Sequence, residues 1–161
     1  MKHEKIVNSL VKKYKADKNV VGIYIFGSLA KGTAHEKSDV DIELIFMEAK
    51  KPYELKKKII EGISIDLSCY RLDQFEKDFS KDYFLHYAVI DYKIIYDPKG
   101  ILRKHLPKVK RYFKEHPDTL KFWKEKETKW KEYKKLGKKG KTETYFEIMK
   151  ELKTNGIENL K

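Results

Sequence analysis

Ile6, Val7, Leu10, Val11 and Tyr14 recur at helical spacing and give way to the polar stretch Lys15 to Asn19, which predicts an amphipathic helix over residues 3–16 lying on a sheet. Val20 to Phe26 is a run of β-branched and aromatic residues ending at Gly27-Ser28, so it reads as a buried strand followed by a tight turn. Ser28 is placed to cap a short helix beginning at Leu29, which Gly32 would stop. From Asp39 the pattern alternates with period two, putting Asp39, Asp41 and Glu43 on one face of a strand and Val40, Ile42 and Leu44 on the other. Pro52 suits the first turn of a helix running to about Ile60 and ended by Gly62. In the strand that follows, Ile63, Ile65, Leu67 and Cys69 share one face, while Ser64, Asp66, Ser68 and Tyr70 share the other.

Leu72 to Ala88 reads as helix broken near Ser80, and Tyr92 to Tyr96 as a short strand stopped by the turn Asp97-Pro98-Lys99-Gly100. From Ile101 the chain has the pattern of three helices, with breaks at His116-Pro117 and at Gly137 to Gly140. The last is marked by Tyr145, Ile148, Met149 and Leu152, with Thr144 and Glu147 spaced as a capping box. The chain thus divides into an α/β part, residues 1–100, and a lysine-rich helical extension, residues 101–161.

A length of 161 residues with 40% apolar side chains fits one packed domain with a helical appendage. Cys69 is the single cysteine, which rules out an internal disulfide and a thiolate metal cluster. No apolar run approaches the roughly 20 residues of a membrane span and no signal peptide is evident, so a cytoplasmic protein is expected. The formal net charge of +12 would suit a polyanionic partner, but arginine occurs only at positions 71, 103 and 111. Phosphate and base readers favour arginine where bidentate geometry matters, and Lys/Glu enrichment has other compositional origins. Nucleic-acid binding therefore ranks last among the functions considered.

The candidate chemistry lies in Gly27-Ser28, ten intervening residues, Asp39-Val40-Asp41, and Asp66 on an independent strand. Carboxylates projecting from one strand face can hold divalent cations, and two such cations support in-line phosphoryl displacement. A glycine and a serine at a helix start supply close backbone approach, N–H donors and a hydroxyl for phosphate, and Lys31 adds charge. A third acid aimed the same way from another strand would repel the first two unless a cation neutralised them.

Gly27-Ser28-Leu-Ala30-Lys-Gly32 followed by Ser38-Asp39-Val-Asp41-Ile resembles the signature of the DNA polymerase β-like nucleotidyltransferases, most closely the minimal, antitoxin-type group. The resemblance covers roughly Ile6 to Gly100. It implies an α/β (α+β) fold with a small mixed sheet flanked by helices, and a metal-dependent enzyme transferring a nucleoside monophosphate. Carried over by position, Asp39, Asp41 and Asp66 look like metal ligands and catalytic residues, with Asp66 also a candidate general base. Gly27, Ser28 and Lys31 look like triphosphate-binding positions. Two Mg²⁺ ions, or Mn²⁺, are the implied cofactors and ATP the default donor.

The resemblance implies a protein acceptor first, with a HEPN-type toxin as partner, and a small aminoglycoside-like molecule next. A non-catalytic antitoxin that neutralises its partner by binding is the competing class. Glu43, where the family more often shows an apolar residue, is taken to reach solvent rather than to extend the acidic cluster. The five histidines lack metal-ligand spacing, and only His35 falls near the motif. Phe122, Trp123, Trp130 and Tyr133 interleave with lysines and are read as packing residues rather than a base-stacking platform.

Overall fold

The computed structural model describes residues 2–135 and 145–155. Its centre is a five-stranded mixed sheet in the order β3-β4-β2-β1-β5, built from β1 (Val20–Phe26), β2 (Val40–Phe46), β3 (Tyr53–Ile60), β4 (Ile63–Arg71) and β5 (Lys93–Tyr96). β2 runs parallel to β4, and every other pairing is antiparallel. Parallel neighbours need a long crossover. Here strand β3 supplies it, passing outside β4 and returning through a tight hairpin.

That hairpin corrects the helix expected from Pro52 to Ile60. Tyr53–Ile60 is an edge strand, and Pro52 sits just before it, where no ladder hydrogen bond is lost. Lys56, Lys57 and Lys58 lie exposed along the free edge, where charge discourages pairing with another chain. Glu61 and Gly62 both take positive φ, 51° and 82°, the geometry of a two-residue turn that follows the twist of the sheet.

One face of the sheet carries α1 (Lys2–Lys15), as the helical spacing predicts. Ile6, Val7, Leu10 and Val11 pack there with Ile23, Val40, Ile42, Leu44, Ile65 and Leu67. The other face is covered by α3 (Leu72–Asp78), α4 (Ile101–Glu115), α5 (Pro117–Lys135) and α6 (Tyr145–Asn155). Tyr24, Ile45, Phe75, Leu102, Leu106, Phe113, Trp123, Ile148 and Leu152 form that second core. Gly22 lets α4 sit close, since a Cβ there would fall 3.2 Å from Leu102 Cγ. Asp97 starts α4 by accepting from the backbone N–H groups of Leu102 and Arg103.

The helix expected to run to Ala88 ends at Asp78. Two single 3₁₀ turns, Tyr83–Leu85 and Tyr87–Val89, follow, and Asp82 takes a φ of 54° ahead of the first. Trp123 is fully buried, donates to the Phe84 carbonyl at 2.7 Å and stacks on Tyr87, as its packing role anticipates. The side chain of Tyr133, the break expected at Gly137 to Gly140 and Thr144 of the expected capping box lie outside the described residues. Among the described residues no helix is long and apolar enough to cross a membrane.

Because α4 shares a core with β1 and β2, Leu102→Ala is expected to cost about 2–5 kcal/mol. A urea titration followed by far-UV circular dichroism and tryptophan fluorescence should show both signals moving together to a lower midpoint. A shift in one signal alone would mean that the C-terminal helices unfold separately from the sheet.

Candidate active site

The parallel register between β2 and β4 sets Asp41 directly opposite Asp66, and the antiparallel register with β1 sets Asp41 opposite Phe26, beside Gly27. Neighbouring strands lie ~4.8 Å apart, so the two carboxylates on this rung share one patch of the sheet face. The next rung on that face pairs Glu43 with Ser68, and the one after it pairs Ile45 with Tyr70. Asp39 stands just ahead of β2 and is exposed.

Gly27 opens the five-residue helix α2 (Gly27–Lys31) with a φ of 69°, and a Cβ there would collide with Asp41 Oδ2. Glycine is required on both grounds, and its absent side chain brings the turn against the carboxylate. The expected cap at Ser28 does not form. Helix α2 starts at Gly27 and no side chain caps it, while Gly32 ends it in the left-handed conformation as expected. Lys31 Nζ lies 3.4 Å from Asp91 Oδ2.

Asp66 has two unlike oxygens. Oδ2 accepts from Lys57 Nζ at 2.9 Å, an exposed lysine on the next strand, and this bond raises the Lys57 pKa. Oδ1 is buried and has no hydrogen-bond partner. Buried oxygens are normally satisfied, so an orphaned one beside a second carboxylate has the character of a ligand position. Among the described residues no three acidic, histidine or cysteine side chains converge tightly enough to chelate a metal as they stand. Asp41 and Asp66 nevertheless supply the hard oxygen donors that Mg²⁺ and Mn²⁺ take, with Asp39 at the edge of the same rung.

Glu43 is where the sequence reading fails. It is 4% exposed rather than solvated, and Tyr24, its partner across the β1–β2 ladder, donates to Oε1 at 2.5 Å. Burial pushes the Glu43 carboxyl up to about 8, against the opposing effect of that hydrogen bond. The sequence held one hint, a tyrosine inside an otherwise apolar buried strand. The second helical layer that covers this face comes from residues far along the chain.

Two further contacts support the site. His3 Nε2 donates to the Ser38 carbonyl at 2.8 Å, tying α1 to the loop that delivers Asp39. His35, the one histidine near the motif in sequence, is exposed, and its Nδ1 accepts from the Lys37 backbone N–H at 3.2 Å. Behind the Asp41–Asp66 rung lies a cavity of about 360 Å³, lined also by Glu43, Tyr53, Ser68, Tyr70, Phe79 and Tyr145.

A glycine turn pressed against one of two paired carboxylates on a mixed sheet defines a phosphate-transfer type of site. The profile of the polymerase β nucleotidyltransferases matches residues 4–100, and the chain belongs to that family. Among solved structures it is similar to the nucleotidyltransferase-like protein from Exiguobacterium sibiricum 255-15, with 14% identity and a TM-score of 0.48. That similarity covers 66% of this chain and 38% of the other. No curated protein matches the sequence.

Glu43 also dictates a pH dependence of stability. The unfolded chain gives up this proton near the ordinary carboxylate pKa, whereas the folded protein keeps it until about 8. Stability of the metal-free protein should therefore be greatest below about pH 4.5 as far as this group is concerned, and fall by no more than about 5 kcal/mol between there and pH 8. Glu43→Gln retains an acceptor for Tyr24 and should flatten this slope in thermal melts taken from pH 5 to 8.5. An unchanged slope would mean that Glu43 is ionised throughout.

Proposed function

We propose that the protein transfers a nucleoside monophosphate, by default AMP from ATP, to an acceptor hydroxyl with release of pyrophosphate. The observation that carries this reading is the Asp41–Asp66 rung, with one buried oxygen unpartnered, abutting the Gly27-Ser28 turn. Asp39, Asp41 and Asp66 would hold two Mg²⁺ ions, or Mn²⁺. When bound, these ions neutralise charge on the phosphate oxygens and align the attacking and leaving oxygens.

The chain's own groups then have distinct tasks. Backbone N–H groups at the start of α2 and the Ser28 hydroxyl bind the outer phosphates, with the Lys31 ammonium nearby once it exchanges Asp91 for phosphate. Asp66 accepts the proton of the acceptor hydroxyl at Oδ1, the oxygen without a partner. The acceptor oxygen forms a bond to the α-phosphorus, the bond from that phosphorus to its bridging oxygen breaks, and pyrophosphate leaves with the electron pair. Lys57, 68% exposed at its side chain, swings away from Asp66 at little cost.

The exposure of Asp39 and Lys57 leaves this end of the site open to a hydroxyl carried on another protein, which supports a protein acceptor, a HEPN-type toxin being the partner considered first. In that setting a variant lacking Asp41 separates neutralisation by modification from neutralisation by binding alone.

The test is incubation of the purified protein with α-labelled nucleoside triphosphates, Mg²⁺ and candidate acceptor proteins. Label should pass to an acceptor from the wild type, and the rate should fall about 10²- to 10⁴-fold in Asp66→Asn and at least as far in Asp41→Asn. Equal labelling by both variants, or none by the wild type across all four triphosphates, would refute nucleotidyl transfer.

A further inference from the structure

Glu43 has no part in the chemistry just described, yet it is the most deeply buried acid on the site's face of the sheet. It lies one rung beyond Asp41–Asp66, two residues or about 6.6 Å along the strands, opposite Ser68. Both residues line the 360 Å³ cavity, whose size falls within the range of small-ligand pockets. Its other walls are aromatic. Tyr53 and Tyr70 lie 4.7 Å apart between ring centroids, with Phe79 and Tyr145 completing the enclosure.

We propose that this cavity seats the base of the donor nucleotide and that Glu43 reads the base's hydrogen-bonding edge, making it the residue that sets donor choice. The proposal rests on the nucleotidyl-transfer reading. With the α-phosphorus at the Asp41–Asp66 rung and the outer phosphates toward Gly27, the nucleoside must lead away from the turn, and the cavity lies in that direction along both strands. Aromatic walls accept the flat face of any base, which gives affinity without selection. Selection requires a polar group at the edge, and a buried carboxyl pairs with exocyclic amino and ring N–H groups. Tyr24 holds that carboxyl through Oε1, so a base meets it in one fixed orientation. Ser68, itself buried and bonded to the Tyr53 hydroxyl at 3.3 Å, offers a second polar group on the same rung.

The experiment is calorimetric titration of the full-length chain, with Mg²⁺, using the α,β-methylene analogues of ATP, GTP, CTP and UTP. Wild type, Glu43→Gln, Glu43→Leu and Tyr24→Phe are compared after thermal melts establish which of them fold. The wild type should separate its best and worst bases by at least about tenfold in Kd. Glu43→Gln should change the order of preference, because an amide presents a donor where the carboxyl presents an acceptor. Glu43→Leu should compress the spread to within about threefold while Mg²⁺-dependent binding persists, and Tyr24→Phe should narrow it partly. Should Glu43→Leu fail to fold, Glu43→Gln decides alone.

An unchanged order and spread in Glu43→Gln, or a wild type indifferent to the base, overturns the proposal while leaving nucleotide binding intact. Binding of none of the four analogues by any variant overturns the nucleotidyl-transfer reading itself, and the proposal with it.

Discussion

The parallel pairing of β2 with β4 is the constraint on which the site depends. Antiparallel neighbours surround this pair, and its register, Val40 against Ile65 and Asp41 against Asp66, is held by side chains that cannot change faces. A slip of one residue would send Val40, Ile42, Ile65 and Leu67 out of the core beneath α1 and turn the aspartates into it. The apolar face of the ladder thereby fixes the polar face, and two carboxylates that repel one another are kept on one rung by hydrophobic packing on the opposite side. Lys57 stands against Asp66 from the edge strand and offsets part of that repulsion.

The second helical layer gives the polar face its depth. Strands β1 and β2 would otherwise present Tyr24, Glu43 and Ile45 to water, but α4, α5 and α6 lie over them and turn an open sheet face into a walled cavity. Gly22 makes the close seat for α4 possible, and Trp123 and Tyr145 link the helices to the 3₁₀ turns through hydrogen bonds to the Phe84 and Leu85 carbonyls. The result is a gradient along the strands, from carboxylates near solvent at the Gly27 turn to a buried, aromatic interior. Phosphate chemistry belongs at the first end and recognition of a flat, hydrogen-bonding group at the second.

Much of this arrangement is legible in the sequence because strand alternation is a local signal. Asp39 to Phe46 and Ile63 to Tyr70 declare their faces residue by residue, and Gly27, where only glycine fits, marks the turn. Strand β3 is illegible for a physical reason. An edge strand needs no apolar face, so Tyr53 to Ile60, with three consecutive lysines, lacks the alternation that identified its neighbours. The burial of Glu43 is hidden for another reason, since the layer that covers it begins more than fifty residues later in the chain. Short-range pattern fixes which way Glu43 points, but not what lies above it. Lys31 shows a milder version of the same limit, because its partner Asp91 comes from the loop before β5.

The central claim is that the Asp41–Asp66 rung is a divalent-cation site that works together with nucleotide. It is tested most directly by electron paramagnetic resonance of Mn²⁺, in which the signal of free ion disappears on binding, with and without a non-hydrolysable triphosphate. The account predicts that the analogue tightens Mn²⁺ binding to the wild type and that Asp41→Asn and Asp66→Asn each weaken it at least about tenfold, as expected when a charged first ligand is removed. Mn²⁺ affinity unchanged in both variants, with the nucleotide present, would contradict it.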